Sequence, residues 1–102
     1  MEAQIKKGIL EMCVLFIIRD NEMYGYDVMK SIKRHFPEVN ESTFYAILRR
    51  LNADGSAEIT LGEVSNGPTR KYYKITAKGC EVLNNSIDSW KRIQAIIEEI
   101  GI

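Results

Sequence analysis

Residues 41–53, ESTFYAILRRLNA, gather side chains able to bind a polyanion on one helical surface. Phe44, Ile47, Leu48 and Leu51 follow the i, i+3, i+4, i+7 spacing of a buried stripe. That leaves Ser42, Thr43, Tyr45 and Arg49 facing outward, with Glu41, Ala46, Arg50 and Asn52 around them. Hydroxyls of this kind bond phosphates or base edges, and an arginine takes guanine O6 and N7 together. Free backbone N–H groups at a helix start also favour phosphate. A second group follows at Asn66-Gly67-Pro68-Thr69-Arg70-Lys71, where two adjacent cations stand beside a turn. A projecting tip with Arg70 and Lys71 can neutralise phosphate or enter a minor groove. Tyr72 and Tyr73 then fall on opposite faces of a strand. One packs inward and the other is free for phosphate, with Tyr73 the candidate. The plainer readings are a solvated helix face and an ordinary hairpin with a soluble tip.

The elements that must hold these groups are legible from periodicity. Residues 4–19 read as a helix apolar on most sides, from Ile5 and Ile9 through Met12, Cys13 and Phe16 to Ile18. Such a helix needs cover nearly all round. Asp20-Asn21-Glu22 reads as a turn, and 25–35 as an amphipathic helix closed by Pro37. Asn40 is a good N-cap for the helix at 41–53, and Gly55 supplies the left-handed residue that ends it. Ala57, Ile59 and Leu61 alternate with Glu58, Thr60 and Gly62, a strand pattern, and residues 71–75 return it. Thr76 caps a last helix running to residue 102, whose seam is Leu83, Ile87, Trp90, Ile93, Ile97 and Ile100.

The order helix, helix, helix, hairpin, long helix is mainly α with a β-hairpin: a winged helix-turn-helix with a C-terminal dimerisation helix. It divides into a winged helix-turn-helix over 1–75 and the dimerisation helix over 76–102. The last helix is longer than so small a core can cover, and a second copy is the simplest partner for its seam. Ile5, Ile9, Leu83, Ile93 and Ile97 are the expected dimer contacts, so 4–19 also joins that interface. The rival is a last helix folded back on its own chain.

Composition narrows the function. The chain has 102 residues, 45% apolar and 27% charged, with 14 basic and 14 acidic side chains. Zero formal net charge excludes a strongly basic protein that coats nucleic acid indiscriminately. Residues 56–80 carry Arg70, Lys71, Lys74 and Lys78 against Glu58 and Glu63, so the cations concentrate in the middle. Cys13 and Cys80 are too few for a disulfide framework, Cys13 reading as a buried thiol and Cys80 as incidental. With His35 the only histidine, and no acid–base cluster or phosphate-binding glycine loop, no catalysis, metal or cofactor is expected. Lys6-Lys7 and the run Ile9 to Ile18 resemble the start of a signal peptide, but Glu11 interrupts the run and no small-residue cleavage site follows. A cytoplasmic protein is the expectation.

Met23-Tyr24-Gly25-Tyr26-Asp27-Val28, Ser42-Thr43-Phe44-Tyr45-Ala46-Ile47-Leu48-Arg49-Arg50-Leu51 and Gly67-Pro68-Thr69-Arg70-Lys71-Tyr72-Tyr73-Lys74-Ile75-Thr76 together resemble the PadR family of transcriptional regulators. The resemblance runs through almost the whole chain in the family's order. It implies a homodimeric winged-helix repressor binding a palindromic operator in double-stranded DNA. The single C-terminal helix, with Asp88-Ser89-Trp90-Lys91-Arg92, resembles that of the smaller, multidrug-sensing members. In those, a tryptophan at this position from each subunit stacks on a flat aromatic ligand. Trp90 is thus either an interface anchor or a platform for a planar aromatic or drug-like small molecule. Gly8, Met12 and Phe16 on the first helix, with Ile87 and Gln94 beside Trp90, would line the pore. One departure is Ser56-Ala57, where relatives carry larger apolar residues, and looser packing is expected there. The rivals are a winged-helix adaptor that binds only protein and a regulator with no small-molecule ligand.

Overall fold

Helical periodicity produces α1 (Ala3–Ile17), α2 (Gly25–His35), α3 (Glu41–Ala53) and α4 (Ala77–Ile100). The computed structural model describes residues 3–62 and 69–102, with side chains from residue 6 onward. The apolar stripes of the first three helices meet in one core. Leu10, Val14, Leu15 and Ile18 come from α1 and its end, Val28, Met29 and Ile32 from α2, and Phe44, Ile47, Leu48 and Leu51 from α3. Both expected caps form. Asn40 Oδ1 accepts from the Thr43 N–H at 2.8 Å, and Thr76 Oγ1 accepts from the Gly79 N–H at 3.0 Å. Gly55 takes the left-handed conformation (φ 85°) just past α3.

Among the described residues the sheet has three strands rather than the expected two. β1 (Met23–Tyr24), β2 (Ala57–Gly62) and β3 (Arg70–Ile75) run antiparallel in the order β1-β3-β2. Tyr72 pairs with Tyr24 on one side and Thr60 on the other, and Tyr73 with Met23 and Ile59. A two-residue strand is too short to show alternation, which is why β1 is invisible in the sequence pattern.

Two expectations about packing are corrected, at Leu83 and at Ser56-Ala57. Leu83, expected at a dimer contact, is 1% exposed and belongs to the chain's own core. It lies early on α4, where the helix still rests on α1, so no surface remains for a partner. The α1 helix is not covered all round within one chain, since Phe16 stays half exposed. The junction at Ser56-Ala57 is tight, not loose: both residues are buried, and the first turn of α4 presses on them. A Cβ on Gly79 would lie 2.0 Å from the Ser56 carbonyl oxygen, so glycine is what allows this approach.

Only Gly79 and Leu83 of α4's 24 residues are buried. The C-terminal half leaves Trp90, Ile93, Ile96, Ile97 and Ile100 exposed. At about 1.5 Å per residue the helix is about 36 Å long, against molecular dimensions of 57 × 30 × 20 Å. Its end is closed by left-handed Gly101, with the Ile102 N–H reaching back to the Ile97 carbonyl at 3.2 Å. No helix among the described residues is long and apolar enough to cross a membrane.

Candidate nucleic-acid interface

The outward side of α3 presents Ser42, Thr43, Ala46 and Arg49 to solvent, and Tyr45 is half-buried with its ring edge-on to Phe44 at 5.4 Å. Burial, joined by the Glu41 carboxylate, pushes the Tyr45 hydroxyl's pKa up, so it remains a hydrogen-bond donor. One flank of the helix faces α1. Thr43, Ala46 and Arg50 line a cavity of about 440 Å³ with Lys6, Lys7 and Glu38. Arg50 pairs with Glu11 at 2.8 Å and Lys6 with Glu38 at 3.0 Å, so two of the cations there are already matched. Among the described residues, Arg49 is the α3 cation with no ion pair. The helix is tied to the sheet at its other end, where Asn52 Nδ2 donates to the Ala57 carbonyl at 3.0 Å.

Strand alternation sends Arg70 and Lys71 to opposite faces of the ribbon, and both are exposed. Arg70 is seated over the Tyr24 ring at 4.8 Å, and Tyr24 in turn leans on Tyr72 at 5.9 Å and Tyr26 at 6.1 Å. Lys30 lies 5.6 Å above Tyr26. This ladder of two cations and three rings, running from β3 across β1 to α2, was missed from sequence because it depends on the hidden strand. The neighbouring spacing Tyr24-x-Tyr26-x-x-x-Lys30 is its only trace.

Tyr73 is corrected. It is 5% exposed and packs in the core, where burial pushes its hydroxyl's pKa up against the opposing pull of Arg49. It shares the inward face with Ile59 and Met23 and cannot reach a phosphate. Tyr72, half-buried on the outer face, is the tyrosine with access. Asn66 and Gly67 of the tip, and the side chain of Ile5, lie outside the described residues.

Within the single chain, the six expected ligand residues do not share one cavity. Gly8, Met12 and Trp90 line a cavity of about 660 Å³ with Ile9, Ile93 and Ile97. Met12 also borders a second cavity of about 600 Å³, and that is where Phe16 and Ile87 lie, beside Cys13, Arg19 and Phe36. Phe16, one turn beyond Met12, is drawn there under the Arg19 guanidinium, 4.4 Å from its ring. Gln94 lines neither, because it flanks the Trp90–Ile93–Ile97 stripe. Burial raises the pKa of the Cys13 thiol, which favours its neutral form. No cluster of metal-binding side chains occurs among the described residues.

A short helix pair, an exposed hydroxyl- and arginine-bearing second helix and a ribbon bearing exposed Arg70 and Lys71 define a winged helix-turn-helix DNA-binding regulator. The family model of the PadR-like transcriptional regulators matches residues 14–85, and the chain belongs to that family. A crystal structure of a PadR-like transcriptional regulator from Bacillus cereus superposes with a TM-score of 0.83 at 38% identity, covering 96% of each chain. A Streptococcus transcriptional regulator superposes with a TM-score of 0.86 at 28% identity, covering 99% of this chain and 100% of that one. An uncharacterized protein of Lysinibacillus sphaericus is 31% identical, covering 96% of this chain and 93% of its own length.

Proposed function

We propose that the protein works as a homodimeric repressor on a palindromic operator in the cytoplasm, with its DNA affinity adjustable by a flat aromatic molecule held between subunits. The observation that carries the pairing is the uncovered stripe Trp90, Ile93, Ile97 and Ile100 on α4. So large a contiguous apolar surface on a small chain marks an association site. A C2 dimer joined there, with Ile9 of α1 at its side, presents two copies of α3. These read neighbouring half-sites about 34 Å apart if both engage one face of the duplex. In this reading Ser42, Thr43, Tyr45 and Arg49 meet the major groove, while Arg70 and Lys71 grip phosphates. A ligand acts only by favouring one spacing of the two heads over another.

The wing assignment is tested by gel-shift titration across salt concentrations. Each phosphate contact contributes about −0.9 to the slope of log affinity against log salt. Arg70→Ala is expected to weaken binding to all sequences and flatten the slope by about 1.8 for a dimer's two wings. An unchanged slope refutes it.

A regulator without a small-molecule ligand is the second reading, favoured by the separation of Phe16 and Ile87 from the Trp90 cavity. Trp90 is then an anchor only. Quenching of Trp90 fluorescence by planar aromatic compounds supports the ligand-responsive reading, and silence across a broad panel supports the anchor.

A further inference from the structure

We infer that Ser42 selects an amino-bearing base, adenine or cytosine, at one position of each half-site, because Asn40 holds its hydroxyl proton and leaves it poised to accept hydrogen bonds from DNA. The inference rests on the reading that α3 enters the major groove. The argument starts at Asn40. Its Oδ1 lies 2.8 Å from the Thr43 backbone nitrogen and 2.8 Å from Ser42 Oγ. The Thr43 N–H is an obligate donor, so the atom facing it must be the amide oxygen; the amide turned over would set its NH2 against that N–H. Ser42 therefore spends its single hydroxyl proton on Asn40. What it shows to solvent is a pair of acceptor lone pairs.

That restricts the DNA groups it can meet. Phosphate oxygens, guanine O6 and N7, and thymine O4 are all acceptors and offer it nothing. Adenine N6 and cytosine N4 carry the donors of the major groove. Ser42 is exposed and second in α3, where such helices touch base edges. Asn40 thus acts as a positioning residue: the cap that starts the helix also sets the polarity of its reading side chain.

The test is selection of bound duplexes from a random-sequence library by the full-length protein and four variants. The wild type is expected to enrich adenine or cytosine over guanine or thymine on one strand at one position per half-site, about fivefold for one neutral hydrogen bond. Ser42→Ala should lose that preference while keeping the rest of the motif. Asn40→Asp still accepts from Ser42 and should keep it, whatever its effect on overall affinity. Asn40→Gly, a well-tolerated cap, frees the hydroxyl to donate and should admit guanine and thymine there. A wild-type motif that Ser42→Ala leaves unchanged, or a Ser42-dependent preference for guanine or thymine, overturns the inference alone. No enriched motif from the wild type, or one insensitive to Arg49→Ala and Ser42→Ala together, overturns it along with the reading of α3.

Discussion

Replacing Gly79 by alanine probes the contact that seats α4 on the winged head. The added Cβ would lie 2.0 Å from the Ser56 carbonyl oxygen, 2.7 Å from Ile75 Cγ1 and 3.0 Å from the Ser56 carbonyl carbon. Two of these three atoms are backbone and cannot rotate away. The start of α4 must then withdraw by more than about 1 Å to restore ordinary contact. Bonds made there are short-range and directional: the Thr76 N–H to Ser56 O at 3.1 Å, Thr76 Oγ1 to Gly55 O at 2.6 Å, and the Gly79 N–H to Thr76 Oγ1 at 3.0 Å. Overpacking of this kind costs about 1–3 kcal/mol, and each weakened hydrogen bond about 1 kcal/mol. Alanine's better helix propensity returns about 1 kcal/mol. With the two bonds that cross from Thr76 to Ser56 and Gly55 weakened, the expected net effect is a loss of about 2–4 kcal/mol, read as a lower urea midpoint at unchanged slope with wild type and variant at equal concentration. An equal or higher midpoint would show that helix propensity outweighs the contact, and the account of this junction would fail.

Three further outcomes are expected. Tyr24→Leu removes the ring under Arg70 and should weaken DNA binding about 2- to 5-fold per wing, whereas Tyr24→Phe should not; equal affinity for both variants and the wild type counts against the stacking. Ile97→Asp places a charge in the exposed α4 stripe and should leave a protein that sediments as a lone 11.7 kDa chain at micromolar concentration, where the wild type sediments as a pair; identical sedimentation removes α4 from the interface. Burial raises the Cys13 thiol's pKa, so in a Cys80→Ser background its alkylation should rise at higher pH in the folded than in the urea-unfolded chain; coincident profiles would contradict the burial.

Sequence alone carried the elements whose signals are repetitive. The α3 stripe, the Asn40 and Thr76 caps and the left-handed Gly55 each follow from local rules, and each appears in the structure. What it could not carry were choices settled by neighbours distant in the chain. Whether Tyr72 or Tyr73 faces the core depends on register against β2 and β1, and a one-residue shift exchanges them. Leu83 and Ile87 look alike on a helical seam, but only a folded α1 tells which part of α4 it covers. The small pair Ser56-Ala57 suggested slack because the sequence does not show Gly79 arriving opposite it. Among the described residues expected to face DNA, Ser42, Thr43, Arg49, Arg70 and Lys71 are exposed, Tyr45 is half-buried and Tyr73 is buried.

The short strand β1 has a mechanical consequence. Its two residues splice the beginning of α2 to the middle strand of the ribbon, and Asn52 fastens the far end of α3 to the same sheet. Scaffold and wing are thereby cross-braced, so bending the ribbon would drag α2 with it. Under the proposed dimer reading, control is then expected to act by changing how two copies pair through the exposed stripe of α4, rather than by deforming the DNA-facing surface.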